Sequence, residues 1–263
     1  MPQCPGSGIA AGHDAFWGCA AARSAGQTRG VAGWRDEADR WWAEVLDVPA
    51  AAIRTGGVFP GSRFDHVGIV AVAGAAAPVV YGPADTGPYL HAMLDRADST
   101  GALEADHLAE LLGPRASRVL GPAWYGYATA GSLRAPHSAA VRPLAAADLP
   151  LLARLHEQTP PAQREESGTT GLPAFGYLED GALLAVACLG TWQQMPTIGV
   201  LTHPRARRRG LAHAVVAAAA REGLNRRPVV QYRAWRANTA SLAVAAKIGF
   251  THYCDGLVIH LSF

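Results

Sequence analysis

The chain has 263 residues, of which 49% are hydrophobic and 17% charged, with a formal net charge of +2. That length can bury a sizeable core and favours two units rather than one. No run of 18 apolar residues occurs, and Met1–Gly12 lacks a charged start followed by an apolar core, so the expectation is a soluble, cytoplasmic protein with neither membrane span nor secretory signal.

In chain order, Gly6-Ser7-Gly8-Ile9-Ala10-Ala11 fits a loose dinucleotide pattern, but no strand precedes it, and the match reads as coincidence. Residues 13–25 and 34–47 read as helices, the second with Trp41, Trp42, Val45 and Leu46 on its apolar side. Val67–Ala73 and Pro78–Tyr81 read as strands joined by a turn at Gly74–Ala77. Helices follow at 88–97 and 102–112, then an extended pair at Arg118–Leu120 and Trp124–Ala128. The connection Ala130–Ser138, with Gly131, Ser132 and Pro136, is the expected boundary between units at 1–131 and 138–263.

Beyond it, Val141–Leu144 reads as a strand and Asp148 as the N-cap of a helix through Leu149–Leu152. Residues 197–202 form a strand stopped by His203-Pro204. From Leu211 the apolar positions 211, 214, 215 and 218 recur at helical spacing. Between them lies Arg207-Arg208-Arg209-Gly210-Leu211-Ala212. A helix N-terminus has unsatisfied N–H groups and a positive dipole end, so this turn is a candidate anion cradle, with Gly210 leaving room for close approach. Val229–Trp235 reads as the next strand. Asn238-Thr239-Ala240-Ser241 then opens a helix closed by Lys247-Ile248-Gly249-Phe250.

Arg-x-x-Gly-x-Ala in this setting, with the Asn238…Gly249-Phe250 helix downstream and the 141–152 strand and helix upstream, resembles the GNAT N-acetyltransferases over residues 138–263. The resemblance implies a mixed α/β GNAT fold there. The strands and helices of residues 1–131 resemble a degenerate GNAT-like lobe, as in tandem GNAT proteins. It also implies that acetyl-CoA or another acyl-CoA binds at Val200, Leu201 and Thr202, at Arg207, Arg208, Arg209, Gly210, Leu211 and Ala212, and at Asn238 and Ser241. The tyrosine common in the last helix of relatives is Ala245 here. Tyr232 and Tyr253 are the candidate substitutes as proton donor, and Glu165 and Glu166, with Ser167, the candidates on the acceptor side. Trp192, Gln193 and Gln194 line either the acceptor cleft or a surface hairpin.

Other chemistries are discounted by missing motifs. The only lysine, Lys247, precedes Ile248, so no Walker loop exists; His156-Glu157 lacks a second histidine one turn on; and no Gly-x-Ser-x-Gly elbow occurs. Cys4, Cys19, Cys188 and Cys254 lack metal-ligand spacing, and no metal is expected. The leading expectation is N-acyl transfer from acyl-CoA to a small-molecule amine. Residues 201–236 hold nine arginines against one acid, Glu222, which keeps open an aminoacyl-tRNA as donor, bound through the arginine-rich 205–236 segment. A non-catalytic acyl-CoA-binding module is the third reading.

Overall fold

The computed structural model describes residues 33–61, 63–100, 103–134 and 138–262, and the expected helix at 13–25 and Cys4 and Cys19 lie outside them. The first described helix, α1 (Trp34–Leu46), begins where Asp36 accepts the Gly33 N–H at 3.0 Å and ends at Asp47 in the left-handed region. It buries Ala38, Trp41, Trp42, Val45 and Leu46, the i, i+3, i+4, i+7, i+8 stripe of a helix with one apolar face. There follow α2 (Ala52–Thr55), β1 (Gly57–Pro60), β2 (His66–Val72), β3 (Val79–Gly82), α3 (Gly87–Thr100), α4 (Ala105–Leu112) and β4 (Ala116–Ala128). The second half contains β5 (Val141–Pro143), α5 (Leu149–Glu157), α6 (Pro161–Ser167), β6 (Ala174–Glu179), β7 (Ala182–Trp192) and β8 (Met195–Thr202). It ends with α7 (Leu211–Arg226), β9 (Val230–Trp235), α8 (Thr239–Ile248) and β10 (Thr251–Leu261).

The ten strands of the described residues join one mixed sheet in the order β1-β3-β2-β10-β4-β9-β8-β7-β6-β5. Its centre is shared: β10 lies antiparallel between β2 and β4, and β4 lies antiparallel between β10 and β9. Alternation along the strands sorts the side chains into two layers. On one face α1 and α2 cover Val70, Val72, Tyr125, Tyr127 and Tyr253, while α5 covers Val186, Cys188 and Leu201. On the other, α3 and α4 cover Val67, Ile69, Leu257 and Ile259, while α7 and α8 cover Ala185, Ala187, Val230 and Tyr232.

Three expectations are corrected. The extended pair at 118–120 and 124–128 is one strand, because Gly121-Pro122 between them sits inside β4 as an irregularity beside the β10 register shift at Gly256/Val258. A side chain at Gly121 would meet the Gly256 carbonyl at 2.8 Å. The polar stretch carrying Glu165, Glu166 and Ser167, for which no element is expected from sequence, forms the short helix α6, started by Pro161 at its first turn. Asp148 stands at the start of α5, but its carboxylate turns back to accept the Ala145 N–H at 2.8 Å and to pair with Arg142.

Candidate functional site

β8 and β9 run parallel, yet only two residue pairs stay in register, Thr197 with Gln231 and Ile198 with Tyr232. Immediately after the last pair comes Gly199, pressed against the end of α6: a Cβ there would lie 2.4 Å from the Ser167 carbonyl oxygen and 2.6 Å from Gly168. The strands then part around a cleft of ≈ 520 Å³. Val200, Leu201 and Thr202 line one wall and Tyr232–Trp235 the other; Gln163, Glu166 and Ser167 of α6 close one side, and Ala212 of α7 with Asn238, Ser241 and Val244 the opposite side.

At one end of the cleft the chain turns from β8 into α7. His203 accepts the Arg205 N–H at its Nδ1, 3.1 Å away, which fixes the start of the turn and makes this histidine structural. Arg208 (φ 61°) and Gly210 (φ 78°) are both left-handed, and no side chain caps α7. Its first N–H groups therefore lack intrahelical partners, and nothing lies within 4 Å of where a Gly210 side chain would stand. An open space above a positive helix end is the geometry of an anion site. Arg207 lines the cleft, its guanidinium held by Gln163 Oε1 at 2.6 Å; Arg209 turns away to Glu179, and Leu211 is buried under α7.

A hydrogen-bonded network crosses the cleft. Glu166 Oε1 accepts from Asn238 Nδ2 at 2.7 Å, Asn238 Oδ1 accepts the Ser241 N–H at 3.0 Å and so caps α8, and Ser241 Oγ lies 2.8 Å from the Tyr232 hydroxyl. Burial, with the Glu166 carboxylate nearby, outweighs the Ser241 hydrogen bond and pushes the Tyr232 phenol up to about 12. Tyr232 is therefore protonated at neutral pH and available as a donor.

Several residues singled out from sequence lie elsewhere. Glu165, one position round the helix from Glu166, points to Arg118 of β4 at 3.7 Å rather than lining the cleft. Tyr253 is separated from β9 by the whole of β4; its hydroxyl donates to Asp39 of α1 at 2.6 Å inside the tryptophan-rich core. Trp192, Gln193 and Gln194 form the β7–β8 hairpin end, and that hairpin is docked on α1, where Trp41 Nε1 donates to the Gln193 carbonyl. Ala245 is fully buried among α8 contacts, and its neighbour Val244 faces the cleft. Sequence reasoning missed Gln163, Arg233 and Trp235 as lining residues. A short helix with no apolar stripe and a strand end give no periodic signal.

Residues 175–255 match the model of the GNAT acetyltransferase family, a range running from β6 into β10 and containing both walls of the cleft and the α7 turn. Among solved structures the chain is similar to a GNAT-family acetyltransferase from Colwellia psychrerythraea, with 14% identity and a TM-score of 0.44 over 59% of this chain and 62% of that one. It is also similar to a GNAT-family protein from Novosphingobium aromaticivorans, with 20% identity and a TM-score of 0.45 over 57% and 68% of the two chains. A third is an aminoglycoside N-acetyltransferase in complex with CoA, 25% identical with a TM-score of 0.33 over 42% and 90%. The chain thus spans less than two thirds of the Colwellia protein. No curated protein matches it.

Proposed function

We propose that this GNAT domain is an N-acyltransferase, taking an acyl group from acyl-CoA and passing it to the amine of a small molecule. The observation that carries this reading is the cleft between diverging parallel strands that ends at the uncapped N-terminus of α7. The N–H groups of the 207–212 turn would hold the pyrophosphate, and the parted edges of β8 and β9 the pantetheine arm. Bound there, the thioester supplies an activated acyl carbonyl. Tyr232, paired with Ser241, would protonate the departing thiolate in place of the tyrosine that Ala245 replaces, and Glu166 is the carboxylate on the acceptor side.

Acyl-CoA is favoured over an aminoacyl-tRNA because four of the nine arginines of the basic segment are paired with acids, three of which come from elsewhere in the chain. Arg209, Arg226, Arg227 and Arg236 pair with Glu179, Glu222, Glu37 and Asp255.

The test is Ala212→Asp. At the second position of α7 a carboxylate is favourable to the helix dipole, by roughly 0.3–1 kcal/mol, but repels a phosphate in the cradle. We expect unchanged or slightly raised thermal stability together with at least about a tenfold loss of acetyl-CoA affinity by calorimetry. Equal affinity in the two proteins would remove the turn from the donor site. Binding of acetyl-CoA without turnover of any amine would favour a non-catalytic module.

A further inference from the structure

Behind the cleft runs a chain of hydrogen bonds that acyl-CoA binding does not use. Ser167, the last residue of α6, lines the cleft. Its Oγ lies 2.7 Å from Thr169 Oγ1, and Thr169 Oγ1 lies 3.0 Å from Nε2 of His156 on α5. Ser167 and Thr169 are 9% and 2% exposed, so the two hydroxyls form a nearly dry link between the cleft and the imidazole. The close contact of Gly199 with the backbone of Ser167 and Gly168 fixes this link where β8 and β9 separate. Ser167 Oγ also lies 2.7 Å from the Arg164 carbonyl, to which it donates, and accepts the Thr169 N–H at 3.2 Å. Either hydroxyl can be the donor in the Ser167–Thr169 contact, and rotating both O–H bonds turns the chain toward His156.

We infer that His156 is the terminal proton acceptor of the reaction, reached from the attacking amine through Ser167 and Thr169. This rests on the acyl-transfer reading above. The amine nitrogen forms a bond to the thioester carbonyl carbon and the carbon–sulfur bond breaks. The nitrogen's surplus proton passes to Ser167 Oγ, the Ser167 proton to Thr169 Oγ1, and the Thr169 proton to His156 Nε2. The half-exposed imidazolium then releases it to water, and the thiolate is protonated from Tyr232 or solvent. Burial, with Arg164 on α6, lowers the His156 pKa against a raising hydrogen bond to the Thr169 backbone, so the ring is neutral at neutral pH, and the tautomer with Nε2 unprotonated can accept from Thr169. On the β7 side, α5 packs on Val186, Leu201 and Cys188; burial pushes that thiol up to about 11, so it carries no charge. Arg154 and Glu157, on α5 itself, are exposed.

The experiment uses the full chain, acetyl-CoA and three amine probes, tyramine, benzylamine and glycinamide. CoA release is followed against pH while His156 is titrated by NMR. The wild-type rate should fall as pH drops through the measured His156 pKa. Thr169→Val keeps the shape but breaks the relay, and Ser167→Ala breaks it at the cleft end. Each should lose roughly 10²-fold in rate at neutral pH and lose the inflection, while acetyl-CoA affinity changes by no more than about twofold. A purely structural role for Thr169 would alter stability and leave the inflection in place. If both folded variants keep the wild-type pH profile while His156 still titrates, the relay is wrong. If the wild-type protein acetylates none of the probes, the acyl-transfer reading itself fails, and the relay with it.

Discussion

Tyr232 shows how one side chain can serve packing and chemistry together. Its ring is buried against Phe250 under α7 and α8, and only the hydroxyl reaches the cleft, where Ser241 meets it. His66 presents the opposite case, a titratable group wholly committed to the fold. It is fully buried on β2, beside Phe64 and Tyr81, and burial lowers its pKa from 6.5 to about 4 despite Asp65. The unfolded chain then takes up a proton near pH 6.5 that the folded protein accepts only near pH 4, so folding should weaken as pH falls through that window. A shift of this size corresponds to roughly 3 kcal/mol, an upper figure. His156 and His213, also lowered by burial, act in the same direction. Urea denaturation at pH 7 and pH 4.5 should reveal the loss, and His66→Gln should flatten it; an equal slope in both proteins would clear His66 of the effect.

Elements with a strong period were legible from sequence, and those defined by their neighbours were not. α1, α7 and β2 announce themselves through apolar spacing, and the Asn238 cap and Gly249 stop bracket α8 as read, with Gly249 at φ 107°. α6 has no apolar stripe to read; its place is set by Gly199 beneath it, a contact between residues more than thirty positions apart. The pairing of the basic run was hidden for the same reason, since three of the acids that meet its arginines, Glu37, Glu179 and Asp255, lie outside it in sequence. Gly199 therefore carries a prediction at this scale. In Gly199→Ala the new methyl meets backbone atoms at 2.4–2.6 Å, and backbone cannot step aside as a flexible side chain can. The end of α6 must lift, at a cost of about 1–3 kcal/mol. Because α6 carries Ser167 and Glu166 while the α7 turn is untouched, amine acetylation should fall more than acetyl-CoA affinity. Unchanged stability by denaturant titration would show that α6 is not clamped by this strand.

Across the whole molecule, the two halves are joined through the middle of the sheet rather than placed side by side. That arrangement was invisible in the sequence, because the pairing of β4 with both β9 and β10 depends on partners more than a hundred residues away and on no local pattern. Its consequence concerns any cut in the connection near residues 131–138. An isolated second half would keep β5 to β9 but expose the β9 edge, and β10 would lose strands on both sides. β10 runs antiparallel to β4, which is antiparallel to β9, so it would have to reverse direction to replace the β4 ladder. The faces of Leu257, Ile259, Tyr253 and Val258, all fully buried in the intact chain, would meet water. Burial of such side chains is worth roughly 1.5–3 kcal/mol each, comparable in sum to the whole stability of a small domain. Unpaired apolar strands of this kind also template aggregation. We therefore expect residues 1–134 and 138–263, produced separately, to be aggregated or largely unfolded by size exclusion and circular dichroism. Refolded together, they should recover a one-to-one complex with the intact chain's spectrum and acetyl-CoA affinity. A monomeric 138–263 fragment that unfolds cooperatively and binds acetyl-CoA alone would show instead that the central strands are an addition to a self-sufficient domain.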